Sequence, residues 1–126
     1  MRRGSERLDA EGFTLRDVAR TWIYVADLLG TYGALNRARD DAFVEAGLGS
    51  PGRFESPPAS TGIQGFHPAG HPCFMELIAA TRPNGGAPFS VVEPELQCEA
   101  WAYGSSFSRG ARLSIAGGEL ITISGT

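Results

Sequence analysis

The sequence predicts an α+β fold in which a mixed sheet packs against helices. Three features carry that expectation. Residues 19–25, Ala19-Arg20-Thr21-Trp22-Ile23-Tyr24-Val25, are rich in β-branched and aromatic side chains, the composition of a strand. Both alternating sets of that run include apolar residues, so burial on two sides is expected. In residues 30–46, Tyr32, Leu35, Ala38, Ala42 and Ala46 recur at three- and four-residue steps, the period of a helix. Residues 73–81, with Phe74, Met75, Leu77 and Ile78, read as a second strand.

The remaining elements follow in chain order. Residues 8–17 read as a helix end interrupted by Gly12, with Thr14 able to cap a short turn through Leu15 and Asp17. For the long helix, Thr31 is the candidate cap and Gly47 the natural stop. Its Arg37, Arg39, Asp40, Asp41 and Glu45 are expected to face water for the most part, with Arg37 and Asp41 spaced to pair. Residues 49–58 hold Pro51, Gly52, Pro57 and Pro58 and read as a loop; 59–64 is a short strand and 65–72 a second loop. Residues 82–88 form a turn, and 97–103 read as a strand. Residues 111–115 and 120–124 flank Gly117-Gly118, a hairpin signal.

A chain of 126 residues sets one domain as the default. Its net charge of -3, with no block of like charge, argues against binding nucleic acid by phosphate neutralisation. All eleven basic residues are arginine, so Schiff-base chemistry on a lysine is excluded. The two cysteines, Cys73 and Cys98, are too few for a disulfide framework and read as reduced, partly buried thiols. No apolar run approaches the ~18 residues of a membrane span. Residues 1–11 are charged and lack the apolar core of a signal peptide, so the cytoplasm is the expected address and no membrane partner is expected.

Each candidate for chemistry has a plain structural rival. His67 and His71 are four apart, but Pro68, Gly70 and Pro72 forbid the helix that would align them, so no metal is expected. Cys73 as a nucleophile would need a base held beside it; His71 is two residues away but on a loop, so a structural thiol is expected. No phosphate-binding loop, dinucleotide fingerprint or nucleophile elbow occurs, and no cofactor is expected. Glu76 alternates with Phe74 and Ile78, which places a carboxylate on an apolar face, either in a pocket or at an edge. Arg109 follows Ser105, Ser106 and Ser108, a guanidinium among hydroxyls that could grip a carboxylate; a polar loop before a strand is the rival. Arg20 and Arg39 could each be a buried ion-pair partner or a binding residue.

Several segments resemble a known family. Residues 20–25, the helix segment Asn36-Arg37-Ala38-Arg39 and Pro58-Ala59-Ser60-Thr61-Gly62-Ile63-Gln64 resemble the middle of a RidA/YjgF (endoribonuclease L-PSP) domain. Ser106-Phe107-Ser108-Arg109-Gly110 and Ile123-Ser124-Gly125-Thr126 resemble its chorismatase branch, in which two RidA-like halves share one chain. The resemblance covers most of residues 12–126. It implies that 12–82 are the latter part of a first half, 83–96 a linker and 97–126 the start of a second, so that the fold is incomplete at both ends. The catalytic acid would then lie in the absent part, and the fragment would be inactive alone. The implied function of the complete protein is chorismate hydrolysis or pyruvate-releasing conversion to a hydroxybenzoate. Arg109 would take a substrate carboxylate, with Ser108, Ser124 and Thr126 as neighbouring donors and Glu76 as the candidate catalytic group. Partners implied are a small carboxylate substrate and either a homotrimer or a missing C-terminal half. A RidA-like ligand-binding module without catalysis is the alternative. Imine or enamine deamination is disfavoured, because Ser60 stands where the deaminases place a carboxylate-binding arginine.

Overall fold

The computed structural model describes residues 2–125. It is an α+β molecule. The chain begins with α1 (Arg2–Ala10), passes through a short 3-10 turn and enters β1 (Val18–Val25). The long helix α2 (Leu28–Glu45) follows, then β2 (Gly49–Ser50), β3 (Arg53–Phe54), β4 (Ala59–Gln64) and β5 (Cys73–Ala79). The last part holds β6 (Ser90–Val92), β7 (Gly110–Ile115) and β8 (Gly118–Ile123).

β1 lies at the centre of a three-stranded sheet, parallel to β4 and antiparallel to β5. The parallel pairing follows from the α2 crossover, because parallel neighbours need a long connection between them. The register sets Arg20, Trp22 and Tyr24 on one face and Thr21, Ile23 and Val25 on the other. α2 packs on the second face, where a side chain at Gly62 would come within 3.1 Å of Leu28. β6, β7 and β8 form a second antiparallel sheet. The two sheets meet in a core of Ala19, Ala59, Phe89, Ala111 and Leu113, with Ile78, Ala80 and Val91 packed against it.

The local signals fare unevenly. Thr14 and Asp17 cap the short turn: the Thr14 N–H and hydroxyl both donate to Asp17 Oδ2 at 2.8 Å. α2 starts earlier than Thr31, because Asp27 is the cap and accepts the Gly30 N–H at 2.9 Å. Gly47 stops it with φ +68, a conformation costly for any residue with a Cβ. The expected apolar stripe of α2 is displaced, since its buried residues are Phe43 and Arg39. The 49–58 loop contains the small β2–β3 hairpin, and β6 lies inside segment 83–96. The strand expected at 97–103 is instead a 3-10 helix, Ala100–Tyr103. Its Ser105 N–H bonds Ala100 O at 3.0 Å, a local turn that competes with extension. The hairpin forms around Ala116-Gly117, with Ile115 opposite Gly118. Both cysteines are exposed rather than partly buried. Cys73 opens edge strand β5, where it pairs with Val25 on one side only, and Cys98 lies outside the strands.

Candidate functional site

Hydroxyl side chains from four segments converge where β4 meets the second sheet. On β1 the Thr21 hydroxyl donates to Ser60 Oγ of β4 at 2.8 Å. The Ser60 N–H donates to Ser124 Oγ at 2.8 Å, and the Ser124 hydroxyl donates to Ser108 O at 2.6 Å. Residues 106–108 run beside the start of β4, with the Ser108 N–H bonded to Pro58 O at 3.1 Å. Thr21, Ser60, Ser108 and Ser124 are all buried, so this network is a dry polar seam.

Arg20 sits at the edge of the seam. One of its terminal nitrogens donates to Thr61 Oγ1 at 2.5 Å, and the same oxygen accepts the Gly125 N–H at 2.8 Å. The guanidinium lies over the Trp22 ring, 4.4 Å from its centroid. Arg20 is 3% exposed, and its Nε and Nη1 are buried with no hydrogen-bond partner. It forms no ion pair among the described residues. Burial pushes its pKa below the ordinary arginine value, the direction expected of a cation held without a counterion. The sequence left Arg20, like Arg39, as either a buried ion-pair partner or a binding residue. The register turns it toward Thr61 and Trp22.

The expected site residues divide. Ser108 and Ser124 are brought together. Arg109 points elsewhere: its Nε and Nη2 both donate to Cys98 O, at 3.0 and 2.9 Å, so its fork grips a backbone carbonyl. Its Nη1 is buried without a partner, and the guanidinium lies 5.3 Å from Tyr103 and 5.7 Å from Phe107. Thr126 lies outside the described residues. Glu76 is exposed on the Arg20 face of the first sheet and accepts the Tyr24 hydroxyl at 3.0 Å. That bond raises the Tyr24 phenol above its ordinary value. Tyr24 in turn stacks on Phe74 at 4.3 Å. The face therefore runs from a buried guanidinium, across aromatic rings, to a carboxylate.

No protein family, curated protein or solved structure matches this chain.

The histidines and a wide cleft stand apart from this seam. His67 and His71 have ring centroids 4.8 Å apart, and His67 Nδ1 accepts the Ala69 N–H at 3.1 Å. No cluster of three metal-ligating side chains occurs among the described residues. A cleft of about 1220 Å³ opens between α1, α2 and the opposite face of the first sheet, walled by Leu8, Phe13, Ile23, Leu35, Met75 and Leu77. It touches none of Glu76, Ser108, Arg109 or Ser124. No helix among the described residues is long and apolar enough to cross a membrane.

Proposed function

We propose that this chain is a RidA/YjgF-like unit of the chorismatase branch that binds a small carboxylated metabolite, with Arg20 as the guanidinium that takes the carboxylate. One observation carries the reading: Arg20 is buried, and two of its three nitrogens have no partner. A buried charge is costly unless paired, and a carboxylate is the geometric complement of a guanidinium. The Trp22 ring beside Arg20 offers an apolar surface for the body of the ligand. Glu76, which accepts the Tyr24 hydroxyl on the same face, is the candidate catalytic carboxylate within the chain. In the complete protein the reaction would be general-acid protonation of an enol ether, with water completing pyruvate release. Arg109, through its unpartnered Nη1, would add positive potential near the seam.

A second reading is a RidA-like ligand-binding module without catalysis, assembled as a homotrimer. The half-buried Trp22, Tyr24 and Phe74 on the outer face favour it, since such a surface suits subunit packing. Imine deamination is the weakest reading. Ser60 is engaged by Thr21 and Ser124 and offers no cation for a substrate carboxylate.

Isothermal titration with chorismate and with benzoate tests the proposal. Arg20→Gln should weaken binding by roughly ten- to a hundredfold, the value of a charge-assisted hydrogen bond of about 1.5–3 kcal/mol. Unchanged affinity in a folded Arg20→Gln protein would overturn it. Pyruvate release assayed in the same samples separates the enzyme from the module.

A further inference from the structure

The face of α2 that meets residues 105–107 is polar and incompletely satisfied. Tyr32, Asn36 and Arg39 lie three and four residues apart, so they share one side of the helix. Tyr32 Oη and Ser105 Oγ are 2.8 Å apart, and Asn36 Nδ2 reaches the same oxygen at a long 3.4 Å. Arg39 is 3% exposed. Its Nη1 bond to Ser106 O is stretched to 3.5 Å, and its Nε is buried with no partner among the described residues. Asn36 Oδ1 is likewise buried and unpartnered. Turning the amide over would satisfy the oxygen at Ser105 and leave the nitrogen orphaned instead, so either orientation presents one unfilled position.

The charges around this spot do not cancel. Two guanidiniums flank the Phe107 ring, Arg39 at 5.4 Å and Arg109 at 5.7 Å. Against them stands Asp40, whose Oδ1 is held by the Ser106 hydroxyl and which forms no ion pair with Arg39 among the described residues. Burial lowers the Arg39 pKa, with Tyr32, Asp40 and Tyr103 pulling the other way. A cationic side chain this deep, with an unused donor and an amide with one unfilled position three residues away on the same helix, has the chemistry of an anion cradle.

We propose that Asn36 and Arg39 form a second ligand site, for a small oxyanion, between α2 and residues 105–107. This site does not depend on Arg20. Arg20 belongs to the opposite face of the first sheet, so one site can fail while the other stands.

Thermal unfolding of the full chain tests it, in inorganic phosphate and in acetate, each against chloride at matched ionic strength. The expected result is a melting temperature that rises with at least one oxyanion and saturates. Arg39→Gln and Asn36→Leu should each weaken the phosphate effect about tenfold or more, while Arg112→Gln, at an exposed arginine of β7, keeps it. Phosphorus NMR line broadening of phosphate on the wild-type protein, with acetate as competitor, gives a readout that needs no variant to fold. No rise beyond chloride with either ion, together with no broadening, would overturn the proposal. So would an undiminished rise in Arg39→Gln.

Discussion

At the scale of single residues, Asp17 shows how burial and bonding compete. It is 7% exposed, and burial alone would raise its pKa. The Thr14 N–H, the Arg82 guanidinium at 2.7 Å and the Thr14 hydroxyl outweigh burial, and the net pKa is lowered. A carboxyl with a depressed folded pKa stabilises the fold above its unfolded pKa of about 3.9. That contribution is lost as pH falls through this value toward the folded one. Urea unfolding should therefore show Asp17→Asn destabilised by roughly 1–3 kcal/mol at pH 7. The difference from wild type should shrink below about pH 4, once the wild-type carboxyl protonates. A gap constant from pH 7 to 3 would show that Asp17 does not act through its charge.

At the scale of elements, α2 is shaped by its ends and by one buried turn. Asp27 satisfies the Gly30 N–H at the start, and Gly47 turns the chain out at the end. Phe43 is 1% exposed and meets Phe54 of β3 edge-on, with centroids 5.3 Å apart. The cap is exposed, so its loss has no packing cost. Asp27→Ala should lower stability by about 1 kcal/mol, read as an earlier urea midpoint with an unchanged slope. The sequence suggested Thr31 as the cap because hydroxyl residues favour that position. Asp27 won because its carboxylate meets a free N–H at the true first turn, which spacing alone did not locate. The stripe of Tyr32, Leu35, Ala38, Ala42 and Ala46 has helical period, yet the buried pair is Arg39 and Phe43. Periodicity reports that a helix forms; the surface opposite decides which side is covered.

At the scale of the whole molecule, Ser124 joins the two sheets. Its hydroxyl oxygen accepts from Ser60 of β4 and its proton goes to Ser108, while its own N–H bonds Arg109 O at 2.8 Å. Removing the hydroxyl strands a buried N–H and a buried carbonyl that water cannot reach. Ser124→Ala should cost roughly 1–3 kcal/mol, measured by chemical denaturation. A near-neutral result would mean that the apolar core of Ala19, Ala59, Phe89, Ala111 and Leu113 holds the sheets together unaided.

The sequence by itself determined that this is an α+β chain. Strand, helix and hairpin follow from composition and period in segments 19–25, 30–46, 59–64, 73–81 and 111–124, because backbone preference and amphipathic spacing are local. The resemblance named Ser108 and Ser124 as donors to a substrate, whereas in the fold the Ser108 hydroxyl donates to Gly110 O and the Ser124 hydroxyl to Ser108 O. Tertiary structure alone decided which arginines are buried without partners. Arg20, Arg39 and Arg109 look alike as letters. The β1 register turns Arg20 toward Trp22, and packing of α2 on residues 105–107 covers Arg39. The Cys98 carbonyl draws in Arg109. Burial and pairing depend on residues up to about seventy positions away, and no local pattern encodes contacts across that separation.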